Sequence, residues 1–146
     1  MSTLRQQIIA HIKMSDAGAD RVLHEVAGAA DVAGALQGRI STPSVFIIRG
    51  SNRRDDNGRT ETLADQFLVL IAVKNVRDAR GDDSSDAAEN LSNAIASWLK
   101  PFTPQMAQGD QFDSLKRLRG SVQRWNDQVL VWGDTYQLTY VRRCCP

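Results

Sequence analysis

Phe67-Leu68-Val69-Leu70-Ile71-Ala72-Val73 is the run whose reading decides the architecture. Its residues are all apolar and mostly β-branched or aromatic. The run is too short for an ordinary helix and reads as a strand buried on both faces. Such a strand needs a neighbour on each side and cover above and below. The segment from Asp83 to Leu99 supplies cover, because Ala87, Ala88, Leu91, Ala94, Ile95, Trp98 and Leu99 recur at three and four residues and form one apolar stripe. Asp83, with Asp86 three residues on, signals the start of that helix, and Lys100-Pro101 signals its stop. The expectation is a strand over 66–75 at the centre of a sheet and a helix over 84–99 as its lid.

Working outward, Leu4, Ile8, Ile9 and Ile12 share one face of an amphipathic helix over 3–14, which Ser15-Asp16-Ala17-Gly18 is expected to break. Arg21 to Val26 reads as an edge strand. Ala29 to Leu36 reads as a short alanine-rich helix closed by Gln37-Gly38, with small residues for close packing on the sheet. Thr42-Pro43 marks a boundary before a second buried strand over 44–49. From Gly50 to Asp65 the composition turns polar, and Asn57-Gly58 is a hairpin signal, which together predict a long polar β-hairpin arm. Lys100 to Asp113 reads as irregular. Leu115 to Trp125 and Gln128 to Arg143 alternate as a terminal hairpin. The order α, β, α, β, β, α, β, β predicts an α+β fold with a mostly antiparallel sheet covered by helices, as a single domain over residues 1–146.

Composition narrows the function classes. The chain has 146 residues, 42% hydrophobic and 24% charged, as an ordinary globular core requires. Eighteen Lys and Arg against 17 Asp and Glu give a net charge of +1, so there is no global drive toward DNA or an anionic membrane. No apolar run approaches the ~20 residues of a membrane span, and the expectation is a protein that stays in the cytosol where it is made. Cys144-Cys145 reads as an adjacent pair of free thiols, since neighbouring cysteines pair only with strain.

The chemistry-bearing residues form no recognisable active site. Asp78, Asp82, Asp83 and Asp86 lack the alternation and the glycine of a calcium loop and read as a helix N-terminus that favours negative charge. Arg80-Gly81-Asp82 matches an adhesion tripeptide by chance. There is no phosphate loop, no nucleophile with a base and no zinc spacing, and His11 and His24 read as core or surface histidines. No metal and no cofactor are expected, and the protein is not expected to be an enzyme. Trp98, Trp125 and Trp132 read as core or interface anchors. Arg53, Arg54 and Arg59 on the arm are interleaved with Asp55 and Asp56, and mixed signs favour a protein partner over DNA.

Taken in order, these features resemble a known family. The Val22 to Leu36 stretch, Thr42-Pro43 before an apolar strand, the polar arm, Phe67 to Asn75, the helix ending Trp98-Leu99, and the closing Val129-Leu130-Val131-Trp132-Gly133-Asp134-Thr135-Tyr136-Gln137-Leu138-Thr139-Tyr140-Val141-Arg142 resemble tail terminator proteins of long-tailed bacteriophages, particularly Mu-like phages. The likeness runs from about residue 20 to 143 and rests on order and spacing rather than on one motif. It implies a structural protein that forms a homohexameric ring on the finished tail tube, ends tube polymerisation and presents the docking surface for the head connector. Genomic DNA would pass through the lumen without specific binding. The implied location is the neck of the virion tail, with the host cytoplasm as the place of assembly. The interface is expected at Arg53, Arg54 and Arg59 and along the closing strand at Gln137, Thr139 and Arg142. Another neck adaptor is the alternative, and a small nucleic-acid-binding module or a small enzyme are the readings from other classes.

Overall fold

The computed structural model describes residues 3–19, 22–36, 42–56, 58–74, 82–104, 111–113, 115–125 and 129–143. Along these the elements are α1 (Leu4–Gly18), β1 (Glu25–Ala29), α2 (Val32–Ala35), β2 (Ser44–Asp56), β3 (Thr60–Lys74), α3 (Asp82–Leu99), β4 (Gln111–Phe112), β5 (Lys116–Trp125) and β6 (Val129–Arg143). The strands form one sheet in the order β1-β2-β3-β6, with β4 and β5 both pairing along the far edge of β6. Among the described strands only β1–β2 is parallel, so the sheet is mostly antiparallel and the fold is α+β.

β3 is the central strand that its sequence announces. Val69, Leu70, Ile71, Ala72 and Val73 are buried in succession, because both faces of this half of the sheet are covered. One face meets α1 and α3: Ile8 and Ile12 of α1 and Ala88, Ile95 and Leu99 of α3 close over Val69, Ile71, Val45, Ile47 and Leu130. The stripe on α3 is narrower than expected, since Ala87 is exposed and Trp98 is only half-buried against this core. The other face buries Phe46, Ile48, Leu70, Ala72 and Val131 against Ala35, with Val32 and Leu36 around α2 packed on them. α2 is short, and its alanines let it lie close to the sheet.

Three boundaries differ from the sequence reading. α1 begins at a capping box, in which Thr3 and Gln6 exchange side-chain and backbone hydrogen bonds, and it runs through Ser15 and Asp16 to Gly18 instead of breaking at them. Asp16 is buried and its carboxylate accepts the Leu23 backbone N–H at 3.0 Å, so a residue that reads as a helix breaker anchors the next segment. The first strand is Glu25–Ala29 rather than Arg21 to Val26, because its parallel pairing with Ser44 to Ile48 sets the register.

The third difference is the largest. Residues 50–56 and 60–66 pair with each other as the outer halves of β2 and β3, as far as Asp56↔Glu61, but they belong to the main sheet instead of standing off as an arm. β6 flanks β3 over the whole distance, from Lys74↔Val129 to Thr60↔Arg143. A third strand supplies hydrogen-bond partners that a two-stranded arm would lack, and polar side chains are compatible with strand wherever one face stays open. β2 carries an extra residue between Arg49 and Asn52, a bulge that moves the side chains beyond it to the opposite faces. Gly58 sits in the turn with φ +89, a conformation that favours glycine, and its N–H donates to Asp56. Asn57, Asp78, Cys144 and Cys145 lie outside the described residues, as do Gln37-Gly38 and 105–110.

Candidate assembly interface

β3 brings together residues that are some 80 positions apart, because it pairs with β2 on one side and β6 on the other. Arg53 opposes Ala64, which opposes Thr139; Arg54 opposes Leu63, which opposes Tyr140; Asp56 opposes Glu61, which opposes Arg142. The expected interface residues Arg53, Arg54, Thr139 and Arg142 therefore share one end of the sheet, with Arg59 in the turn beyond and Gln137 one step inward. On the face away from α1 and α3, Gln66 lies between Ser51 and Gln137 and bonds both, at 3.3 and 3.2 Å, and Gln137 in turn reaches Thr139. This outer part of the face carries a polar ladder with no helix over it among the described residues.

The charges at that end are partly satisfied within the chain. Arg54 lies 3.9 Å from Glu61, and the Arg142 guanidinium sits 5.8 Å from the centre of the Tyr140 ring. Arg59 is exposed but has its own intramolecular contact. Arg53 is exposed with no ion pair among the described residues.

A second polar group, which the sequence reading missed, fastens α3 to β5 and β6. Asp134 is buried in the middle of β6, where it accepts hydrogen bonds from the Ser92 hydroxyl and, at 2.8 Å, from the Trp132 indole N–H. Arg117 donates to Ser92 and Asn93, both at 3.0 Å. A cleft of about 210 Å³ opens beside this group, between Glu89 and Asn93 on α3 and Arg117–Gly120 on β5. Gly120 makes the arrangement possible, since a Cβ there would come within 2.1 Å of the Asp134 carboxylate. The carboxylate is held by fixed donors, as in a structural tie. Two residues in the sequence, Asp134 inside an apolar strand and Gly120 inside a polar one, are the signals that mark it.

Two tyrosines on β6 differ in how their hydroxyls are met. Tyr140 donates to Asp65 at 3.1 Å, and burial first, then the Asp65 charge, push its phenol above the ordinary value. Tyr136 is buried with no acceptor among the described residues; burial, with Asp134 adding to it, pushes its phenol well up. His11 has the structural role expected of it: Nε2 meets the Trp98 carbonyl at 2.7 Å and the ring packs edge-on against Phe102. His24 is exposed. Trp132 is half-buried and packs against the core. No group of three or more metal-ligating side chains occurs among the described residues, and none of their helices is long and apolar enough to cross a membrane.

The profile of the family described as "Phage tail terminator protein" matches residues 6–144. Among solved structures, a chain of the virion of a native gene transfer agent (GTA) particle superposes with a TM-score of 0.58 at 10% sequence identity, covering 94% of each chain. At that identity the likeness is one of fold. No curated protein matches the sequence.

Proposed function

This chain belongs to the phage tail terminator family, a family of structural phage proteins, and from that premise we propose that it ends tail tube polymerisation at the head-proximal end of the tail. In this reading it acts as one domain over residues 1–146. Six copies close into a ring on the last tube layer, the ring's far side docks the head connector, and genomic DNA passes through the lumen without specific binding. Its place is the neck of the virion, reached by assembly in the host cytoplasm, and it needs no cofactor. The observation that carries the proposal is a family match over nearly the whole chain rather than over one motif.

The geometry supports an assembly role in a particular way. Arg53, Arg54, Arg59, Gln137, Thr139 and Arg142, scattered in sequence, gather at the outer end of β2, β3 and β6, where they are proposed to meet the neighbouring subunit or the tube. A surface of exposed guanidinium groups and polar side chains that bond one another suits recognition of another protein by complementary charge and hydrogen bonding. The deciding experiment is negative-stain microscopy of tails made by phage lacking this gene. The expected result is overlong tails without heads. Tails of normal length joined to heads would overturn the proposal.

A further inference from the structure

α3 and β5 are each charged with one sign only. β5 carries Lys116, Arg117, Arg119 and Arg124 and no carboxylate, whereas α3 carries Asp82, Asp83, Asp86 and Glu89 and no cation. Strict strand alternation would place Lys116 and Arg124 on one face of β5 and Arg117 and Arg119 on the other. Two register shifts, between Arg117 and Arg119 and between Val122 and Arg124, change this. Lys116, Arg119 and Arg124 then oppose Gln137, Thr135 and Val131, all on the face away from α3, and Arg117 alone turns to the helix side. Bulges that re-aim side chains are a specific structural feature. Here they collect three cations on one face.

Those three cations have no ion pair among the described residues. Register turns these three cations to the sheet face away from α3, and no ion pair joins them to Asp86 or Glu89 of the same chain. Lys116 to Arg124 is exposed at every position, including Leu118 at 49% and Val122 at 39%, and among the described strands β5 pairs only with β6. A long edge strand with exposed apolar side chains and unpaired cations is a surface in need of a partner.

We infer that the cationic face and edge of β5 dock, head to tail, on the acidic row of α3, at exposed Asp86 and Glu89, in a second copy of this chain. The inference rests on the ring reading and specifies its contact. A heterologous interface needs two unlike surfaces on each subunit, and the chain carries two of opposite charge on opposite sides of its sheet. Nucleic acid would match the cations of β5 but would be repelled by the acidic row of α3.

Sedimentation of the full chain tests the contact. Wild type is expected to associate in about 0.05 M salt and to dissociate in about 0.5 M, where screening shortens the reach of charge to a few Å. A strand variant (Lys116→Glu, Arg119→Glu, Arg124→Glu) and a helix variant (Asp86→Lys, Glu89→Lys) should each sediment as a monomer with thermal unfolding near wild type. Their equimolar mixture should associate again, since each supplies the charge the other lacks. The inference falls if the mixture stays monomeric, if the strand variant associates like wild type, or if wild type stays monomeric at low salt. Loss of double-stranded oligonucleotide retention in the strand variant, with its association unchanged, would assign the face to nucleic acid. Normal tails in phage lacking the gene would remove the tail-ending reading and leave this contact standing, whereas a failed mixture alongside overlong tails would remove the contact alone.

Discussion

The two halves of β3 are one continuous strand under two different constraints. From Val69 to Val73 every side chain is buried, with α1 and α3 on one face and the α2 region on the other. From Thr60 to Leu68 only alternate positions, Leu63, Asp65 and Phe67, are buried, while Thr62, Ala64 and Gln66 line the open face and Leu68 packs at the border of the second core. Cover on both faces demands an unbroken apolar sequence; cover on one face asks only for alternation. The inner half therefore holds the fold together, and the outer half presents a face whose polar side chains lie outside the two cores.

The largest effect that would sharpen this contrast is a truncation in the inner half. Ile71 is fully buried between β2 and β6, and Ile71→Ala should lower stability by about 2–5 kcal/mol, as large-to-small changes in closed cores do. Gln66→Ala, five residues away on the open face, should stay within about 1 kcal/mol, since it removes only partly exposed amide hydrogen bonds. Urea unfolding of the two variants compares them directly. Equal losses would mean the outer half is as tightly constrained as the inner.

The inner half was also the more legible from sequence. Phe67 to Val73 announces its own burial, and α3 begins within two residues of its expected start and ends where Lys100-Pro101 says it must. The β5–β6 hairpin follows from alternation at Val129, Val131, Tyr136, Leu138 and Tyr140. What escaped were features fixed by distant partners. The polar hairpin of 50–56 and 60–66 is part of the main sheet because β6, far along the chain, flanks β3 to its end. Asp16 reads as a breaker until Leu23 is seen to donate to it. The cations of β5 do not read as one face, because two bulges that no periodicity reveals bring them there. The residues proposed for the interface can be named from sequence, but their convergence at one end of the sheet cannot.

A middle-sized effect separates two tyrosines on β6. Tyr140→Phe should cost about 1–3 kcal/mol, because it takes away the donor to buried Asp65, whose other oxygen already lacks one among the described residues. Tyr136→Phe should be nearly neutral, since its hydroxyl has no acceptor there to lose. Both phenols are raised in the folded chain, Tyr136 by burial and then Asp134, and Tyr140 by burial and then Asp65. A raised acid favours the folded state while it stays protonated. Stability from these groups is thus complete below the ordinary phenol value near 10.0 and is lost as pH climbs through the folded values. Chemical denaturation from pH 8 to 11 should show the decline in wild type and a shallower one in Tyr136→Phe. An equally steep loss in both would mean the decline has another source.

The smallest expected effect on stability comes with the largest on assembly. Arg53 and Arg54 lie at the outer end of β2, on opposite faces, and both are exposed. Arg54 has Glu61 at 3.9 Å, with side-chain exposures of 61% and 20%, and an ion pair so open to water contributes little. The double substitution Arg53→Glu, Arg54→Glu should therefore leave thermal unfolding of the isolated subunit nearly unchanged, within about 0.5 kcal/mol for exposed charges away from the core. Reversing both charges beside Asp55, Asp56 and Glu61 turns this end of the sheet mostly acidic, with Arg59, Arg142 and Arg143 left as its cations. A partner carboxylate that met the arginines would then be repelled. Phage relying on the variant should accordingly make overlong or headless tails. Normal tails from a normally folded variant would show this end of the sheet to be a solvated tip, and the contacts between copies would have to be sought along β5 and α3 instead.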